Sequence, residues 1–79
     1  MTTLEMYNGV FTECFQVEAE ALNEEFTSEN VSEWDSIGHM NLIAMLEETF
    51  NIFLESEDIM ELNSYENGKI ILKKYDISI

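Results

Sequence analysis

Residues 34–50 read WDSIGHMNLIAMLEETF, and this stretch decides the fold. Its apolar residues recur at helical spacing, not in the strict alternation of a half-buried strand. His39, Leu42, Ile43, Leu46 and Phe50 fall on one face and make an ordinary core stripe. Ile37, Met40 and Ala44 lie on the far side, beside Asn41, Glu47 and Glu48. The spacing predicts a helix from Asp35-Ser36 to about Phe50 with two apolar sectors, one of them edged by acids. Such an edged strip suits a surface on which a partner docks. The alternative is that Trp34 and other loop residues cover Ile37 and Met40.

Outward from this helix, three more can be drawn. Upstream, Leu4, Tyr7, Val10, Phe11, Cys14, Phe15 and Val17 share one arc of a helix from about Leu4 to Val17. Thr2 and Glu5 are spaced there as a capping box. Cys14 sits in the middle of the apolar arc and reads as core packing. Glu5, Asn8, Gly9, Thr12, Glu13 and Gln16 fill the polar arc. Residues 18–35 form a long acidic connection, which Leu22, Phe26, Val31 and Trp34 should pin to the core. Downstream, Ile52 and Leu54 should point inward and Phe53 outward. A short helix is expected from Ser56, as its cap, to about Leu62, with Glu57 and Asp58 at its positive end. A last helix follows Asn63-Ser64 and runs to about Tyr75, with Gly68, Ile71, Leu72 and Tyr75 facing the core. Residues 76–79 are read as a tail. The sum is an all-α four-helix bundle with a long first connection and a short third helix, one domain over residues 1–79.

Composition narrows the function classes. Seventeen acids face three bases, for a formal charge of −14. All three bases (Lys69, Lys73 and Lys74) follow residue 68, and all but one of the acids precede it. Such a surface repels phosphate backbones and anionic membranes, so neither nucleic acid nor membrane is an expected partner. A single cysteine, no secretory signal and no apolar run of membrane-spanning length point to a cytoplasmic protein. No calcium-loop motif occurs, Cys and His number one each, and no metal ligands are assigned. Nor is there a set of residues for independent catalysis.

Ser36 stands where the polar connection meets a helix. Backbone N–H groups of a first turn lack intrahelical acceptors, and with the macrodipole they favour an anion on that hydroxyl. The plainer reading is that Ser36 or Asp35 only caps the helix. His39 lies one turn further on, either within reach of such an anion or satisfied by a backbone carbonyl.

Asp35-Ser36-Ile37 opens an apolar helix that closes on Leu46-Glu47-Glu48-Thr49-Phe50. Then come Ile52 and Leu54 at alternate positions, acids at Glu57 and Asp58, and Leu62 and Ser64 before the last helix. In that order, the chain resembles the acyl carrier protein family over essentially its whole length, most strongly from Asp35 to Leu62. The resemblance implies a carrier and not an enzyme. A phosphopantetheinyl transferase would move 4'-phosphopantetheine from coenzyme A onto Ser36, with Asp35 and His39 beside the attachment point. Acyl- or aminoacyl-loading and transfer enzymes would dock through basic patches onto Ile37, Met40, Ala44, Glu47 and Glu48, extended by Glu57, Asp58 and Glu61. The carrier would be a monomer. Gly38-His39-Met40-Asn41 stands where primary fatty-acid carriers typically show further acids, so the chain looks more like carriers of specialised pathways: surface polysaccharide, polyketide or nonribosomal peptide. The rival expectation is an acidic adaptor of the same fold that never receives the arm.

Overall fold

A computed structural model describes residues 2–79. Four α-helices and one 3₁₀ turn account for the regular structure, and no strand occurs among the described residues. The helices are α1 (Thr3–Phe15), α2 (Ser36–Phe50), α3 (Ser56–Glu61) and α4 (Tyr65–Lys73), with the 3₁₀ turn at Ala19–Ala21. Thr2 and Glu5 form the expected capping box at α1, and Ser64 and Asn67 form another at α4. The cap of α3 is Glu55, not Ser56, and its side chain makes no capping bond.

α1 stops two residues short of Val17, α2 ends at Phe50 as the spacing predicts, and α4 gives way after Lys73 to a tighter turn through Lys74–Asp76. Gln16, Asn51 and Asp76 adopt left-handed backbone with φ of 57°, 56° and 64°. The chain then folds back on each helix end: Val17 N–H donates to the Thr12 carbonyl at 3.2 Å, Ile52 to Glu47 at 3.1 Å and Ile77 to Leu72 at 3.2 Å. These closures satisfy carbonyls that would otherwise be unpaired. They also turn Val17, Ile52 and Ile77 back against the core. The expected tail is thus partly packed, through Ile77 and Ile79.

The core is aromatic at its centre. The Phe11 ring lies 5.0 Å from Tyr7, 5.4 Å from Tyr65, 5.8 Å from Trp34 and 5.9 Å from Phe26, mostly tilted or edge-on. Leu42, Leu46, Leu62 and Leu72 are fully buried around it. Phe26 and Trp34 come from the long connection, as its apolar residues suggested. Backbone bonds sew that connection down: Ser28 N–H donates to Asn63, and Tyr65 N–H to Phe26, both at 2.9 Å.

Two readings of the α1 wheel need correction. Leu4 is exposed, because the buried residues of α1 begin only at Tyr7 and the first turn overhangs the core. Asn8, placed on the polar arc, is half-buried, and its side-chain oxygen accepts from the Tyr65 hydroxyl.

α4 approaches α1 so closely that a Cβ at Gly68 would collide with the Tyr7 hydroxyl. That hydroxyl donates to the Tyr65 carbonyl at 2.6 Å, and burial pushes its pKa far above the usual phenol range. Gly68→Ala is therefore expected to destabilise the fold by about 1–3 kcal/mol through overpacking. Tyr7→Phe should cost about 1 kcal/mol for the lost hydrogen bond and should soften the Gly68→Ala penalty. Urea denaturation of the single and double variants measures this coupling.

Candidate functional site

The mouth of α2 is built from the connection outward. Trp34 is buried, its ring 5.2 Å from Phe15 and 6.0 Å from Phe26. With Trp34 seated, Asp35 adopts extended backbone and caps α2, its carboxylate accepting from Gly38 N–H at 2.8 Å. His39 N–H donates to the Asp35 carbonyl at 2.8 Å. Among the described residues, the first-turn N–H groups of Ser36 and Ile37 have no acceptor. Gly38 is required here, because a Cβ would run into the Glu33 carbonyl. Ser36, the first residue of α2, is exposed.

His39 closes the inner wall of this mouth. The indole N–H of Trp34 donates to His39 Nδ1 at 3.0 Å, and His39 Nε2 lies 2.7 Å from the Ile59 carbonyl. An indole nitrogen only donates, so Nδ1 is the acceptor and the ring proton sits on Nε2, aimed at the carbonyl. His39 thus bridges the connection, α2 and α3. Both nitrogens are engaged, which is the carbonyl-satisfied alternative and leaves neither free to donate to a group on Ser36. Cys14 packs near the same turn, its thiol 3.7 Å from the Gly38 carbonyl, and burial raises its pKa.

Beside Ser36 an open cleft of about 420 Å³ lies between the mouth of α2, the connection and α3. Trp34, Asp35, Ser36 and His39 line one part, and Ser28, Met60, Leu62 and Asn63 line the rest. Met60 is 81% exposed. Sequence reading missed it, although a methionine beside an inward Ile59 on so short a helix was the signal. Ser28 and Asn63 carried none, since only the tertiary fold brings them to the cleft.

The strip of α2 is uncovered. Ile37 is 74% and Met40 67% exposed, and Ala44 and Glu48 are also at the surface. Trp34 does not cover them, because it turns into the core. Glu47 is half-buried, and its carboxylate accepts from Leu54 N–H at 2.9 Å, bracing the turn after α2. Glu57 and Glu61 are exposed on α3. Phe53 points outward at 88% exposure, and nothing in the structure covers it.

Asp58 does not belong to the docking surface expected for it. It is 6% exposed, its carboxylate taking a 2.8 Å bond from the Lys74 ammonium and a 2.6 Å bond from the Tyr75 hydroxyl. Tyr75 in turn accepts from Glu55 N–H at 2.9 Å, so the set staples α3 to the end of α4. Pairing with Lys74 pulled the carboxylate inward, where sequence spacing showed only an acid in a first turn. Among the described residues, no three His, Cys, Asp or Glu side chains converge on a metal-ligating set.

The Lys74 and Tyr75 hydrogen bonds hold the Asp58 carboxyl below its usual pKa. The unfolded chain then binds the proton more readily, so the staple is at full strength above the ordinary aspartate range. It weakens as pH falls from that range through the lowered value. Asp58→Asn is expected to lower the melting temperature at neutral pH and to flatten the acid limb of a stability–pH curve. Thermal melts across the acid range check both.

A scan against known protein-family models finds no match to this chain, and a search of curated protein sequences finds none either.

Proposed function

We propose that this chain is a carrier protein of the acyl carrier type, whose Ser36 receives a 4'-phosphopantetheine arm on which partner enzymes load acyl or aminoacyl groups. One observation carries the reading. Ser36 stands exposed at the first position of α2, beside an open cleft and immediately ahead of an uncovered apolar strip. The element order supports the acyl-carrier-like bundle: a long, pinned connection, then a long helix, then a short one.

The residues fit the group. The Ser36 hydroxyl is accessible, and the free N–H groups of Ser36 and Ile37 with the positive end of α2 suit a phosphodiester on it. The Asp35 carboxylate is occupied by Gly38 N–H. Ser36 Oγ forms the new bond to the β-phosphorus of coenzyme A. The P–O bond to adenosine 3',5'-bisphosphate breaks, and the hydroxyl proton passes to a base of the transferase. When bound, the arm supplies a terminal thiol that holds acyl groups as thioesters. Trp34 and His39 hold the cleft wall rigid behind Ser36. Ile37, Met40 and Ala44, ringed by Glu48 and the α3 acids Glu57 and Glu61, suit brief docking on a basic, partly apolar patch. The net charge of −14 opposes self-association, which favours a monomer. The strip lacks acids between Ser36 and Ala44, which favours a specialised pathway over primary fatty-acid synthesis.

Incubation with coenzyme A, Mg²⁺ and a phosphopantetheinyl transferase of broad specificity is expected to add one phosphopantetheinyl group, mapped by mass spectrometry to Ser36. Ser36→Ala should gain nothing. Ile37→Asp combined with Met40→Asp should slow transfer by about tenfold or more, the scale of losing anchors at the centre of an interface. A chain left unmodified by a competent transferase would remove the carrier reading and leave the acidic adaptor.

A further inference from the structure

On the face formed by α1 and α2 lies a second concavity, of about 260 Å³, whose lining does not include Ser36. Met6, Gly9 and Val10 of α1 and Met45 of α2 make its apolar floor. Glu5 and Glu13 rim it on α1, and beside Thr49 it adjoins a second hollow of about 350 Å³ bordered by Glu13, Met45 and Glu48.

Glycine in the middle of α1 is the telling feature. A helix-interior glycine costs about 1 kcal/mol relative to alanine, so it calls for a steric reason. Gly68 and Gly38 have one, since a Cβ at either would collide with Tyr7 or with the Glu33 carbonyl. Gly9 has none among the described residues, because a Cβ there meets nothing within 4 Å beyond its own helix backbone and chain neighbours. What the missing side chain does is deepen the groove floor between Met6 and Val10. The flanking methionines are flexible and polarisable, a surface that adapts to an incoming apolar group.

The rim specifies the charge of the occupant. Among the described residues, neither Glu13 nor Glu48 pairs with a cation, whereas Lys69 faces Glu66 and Lys74 faces Asp58. A second copy of so acidic a chain would bring like charge to like charge.

We propose that the α1–α2 groove is a second docking surface, which takes a cationic helical segment of a partner protein with one apolar side chain seated over Gly9. This holds whether or not Ser36 is modified; the groove borders the strip of Ile37 and Met40 at Glu48 but is lined by neither of those two residues.

The test uses the full chain and a synthetic amphipathic helical peptide, with lysine and arginine on one side and a leucine stripe on the other, followed by amide NMR titration. Shift changes are expected to centre on Met6, Gly9, Val10 and Met45. Gly9→Leu, which fills the floor and raises helix propensity, should weaken the peptide by about tenfold or more, the loss of one buried anchor. Gly9→Ala, a check that the helix itself tolerates substitution, should raise the melting temperature. The absence of saturable shifts at Met6, Gly9, Val10 and Met45, or a Gly9→Leu affinity at those residues within about twofold of the native chain, would overturn the proposal.

Discussion

The indole of Trp34 lies among the rings of Phe11, Phe15 and Phe26, and its N–H reaches Nδ1 of His39. One side chain thereby ties the long connection to the core and to the first turn of α2. Through His39 Nε2 and the Ile59 carbonyl the same tie extends to α3. Everything at the helix mouth follows from this seating. Because Trp34 is turned inward, Asp35 is left at the cap, Ser36 is left outside, and Ile37 and Met40 have no cover. Truncating a buried tryptophan costs about 3–5 kcal/mol, a large fraction of what a chain this short can hold in reserve. The position of Ser36 and the stability of the fold therefore rest on the same contacts.

The acids divide by what holds them. Asp35 caps, Glu47 braces the turn into α3, and Asp58 staples α3 to α4. Glu48, Glu57 and Glu61 are exposed around the apolar strip, and Glu13 stands at the α1–α2 groove. A charge of −14 is thus a few structural carboxylates plus a surplus that faces outward toward basic partners.

How much of this could be read from the residues depended on range. The body of α2 and the capping box at Thr2 and Glu5 were legible, because each rests on side chains within one or two turns, and the α2 cap was narrowed to Asp35 or Ser36. The burial of Phe26 and Trp34 followed from two large apolar residues stranded in an acidic connection. What escaped was pairing at a distance. Asp58 looked like a surface acid because Lys74 lies 16 residues away. Glu47 looked free because Leu54 N–H lies beyond the helix end. Leu4 looked buried because a wheel projects along the axis and ignores where the core stops. Gly9 sat unremarked on a polar arc, since a groove between two helices exists only once both are in place. His39 was legible as two alternatives, and only the positions of Trp34 and Ile59 separate them.

The most direct measurement is the tautomer of His39 and the bond it makes. In the ¹⁵N-labelled chain, NMR of the imidazole reads which nitrogen is protonated. The account predicts a proton on Nε2, and a slowly exchanging Trp34 indole N–H with coupling across its hydrogen bond to Nδ1. A proton on Nδ1, or an indole N–H that exchanges as freely as in an unfolded chain, would contradict it. The helix mouth that presents Ser36 would then be held by something else.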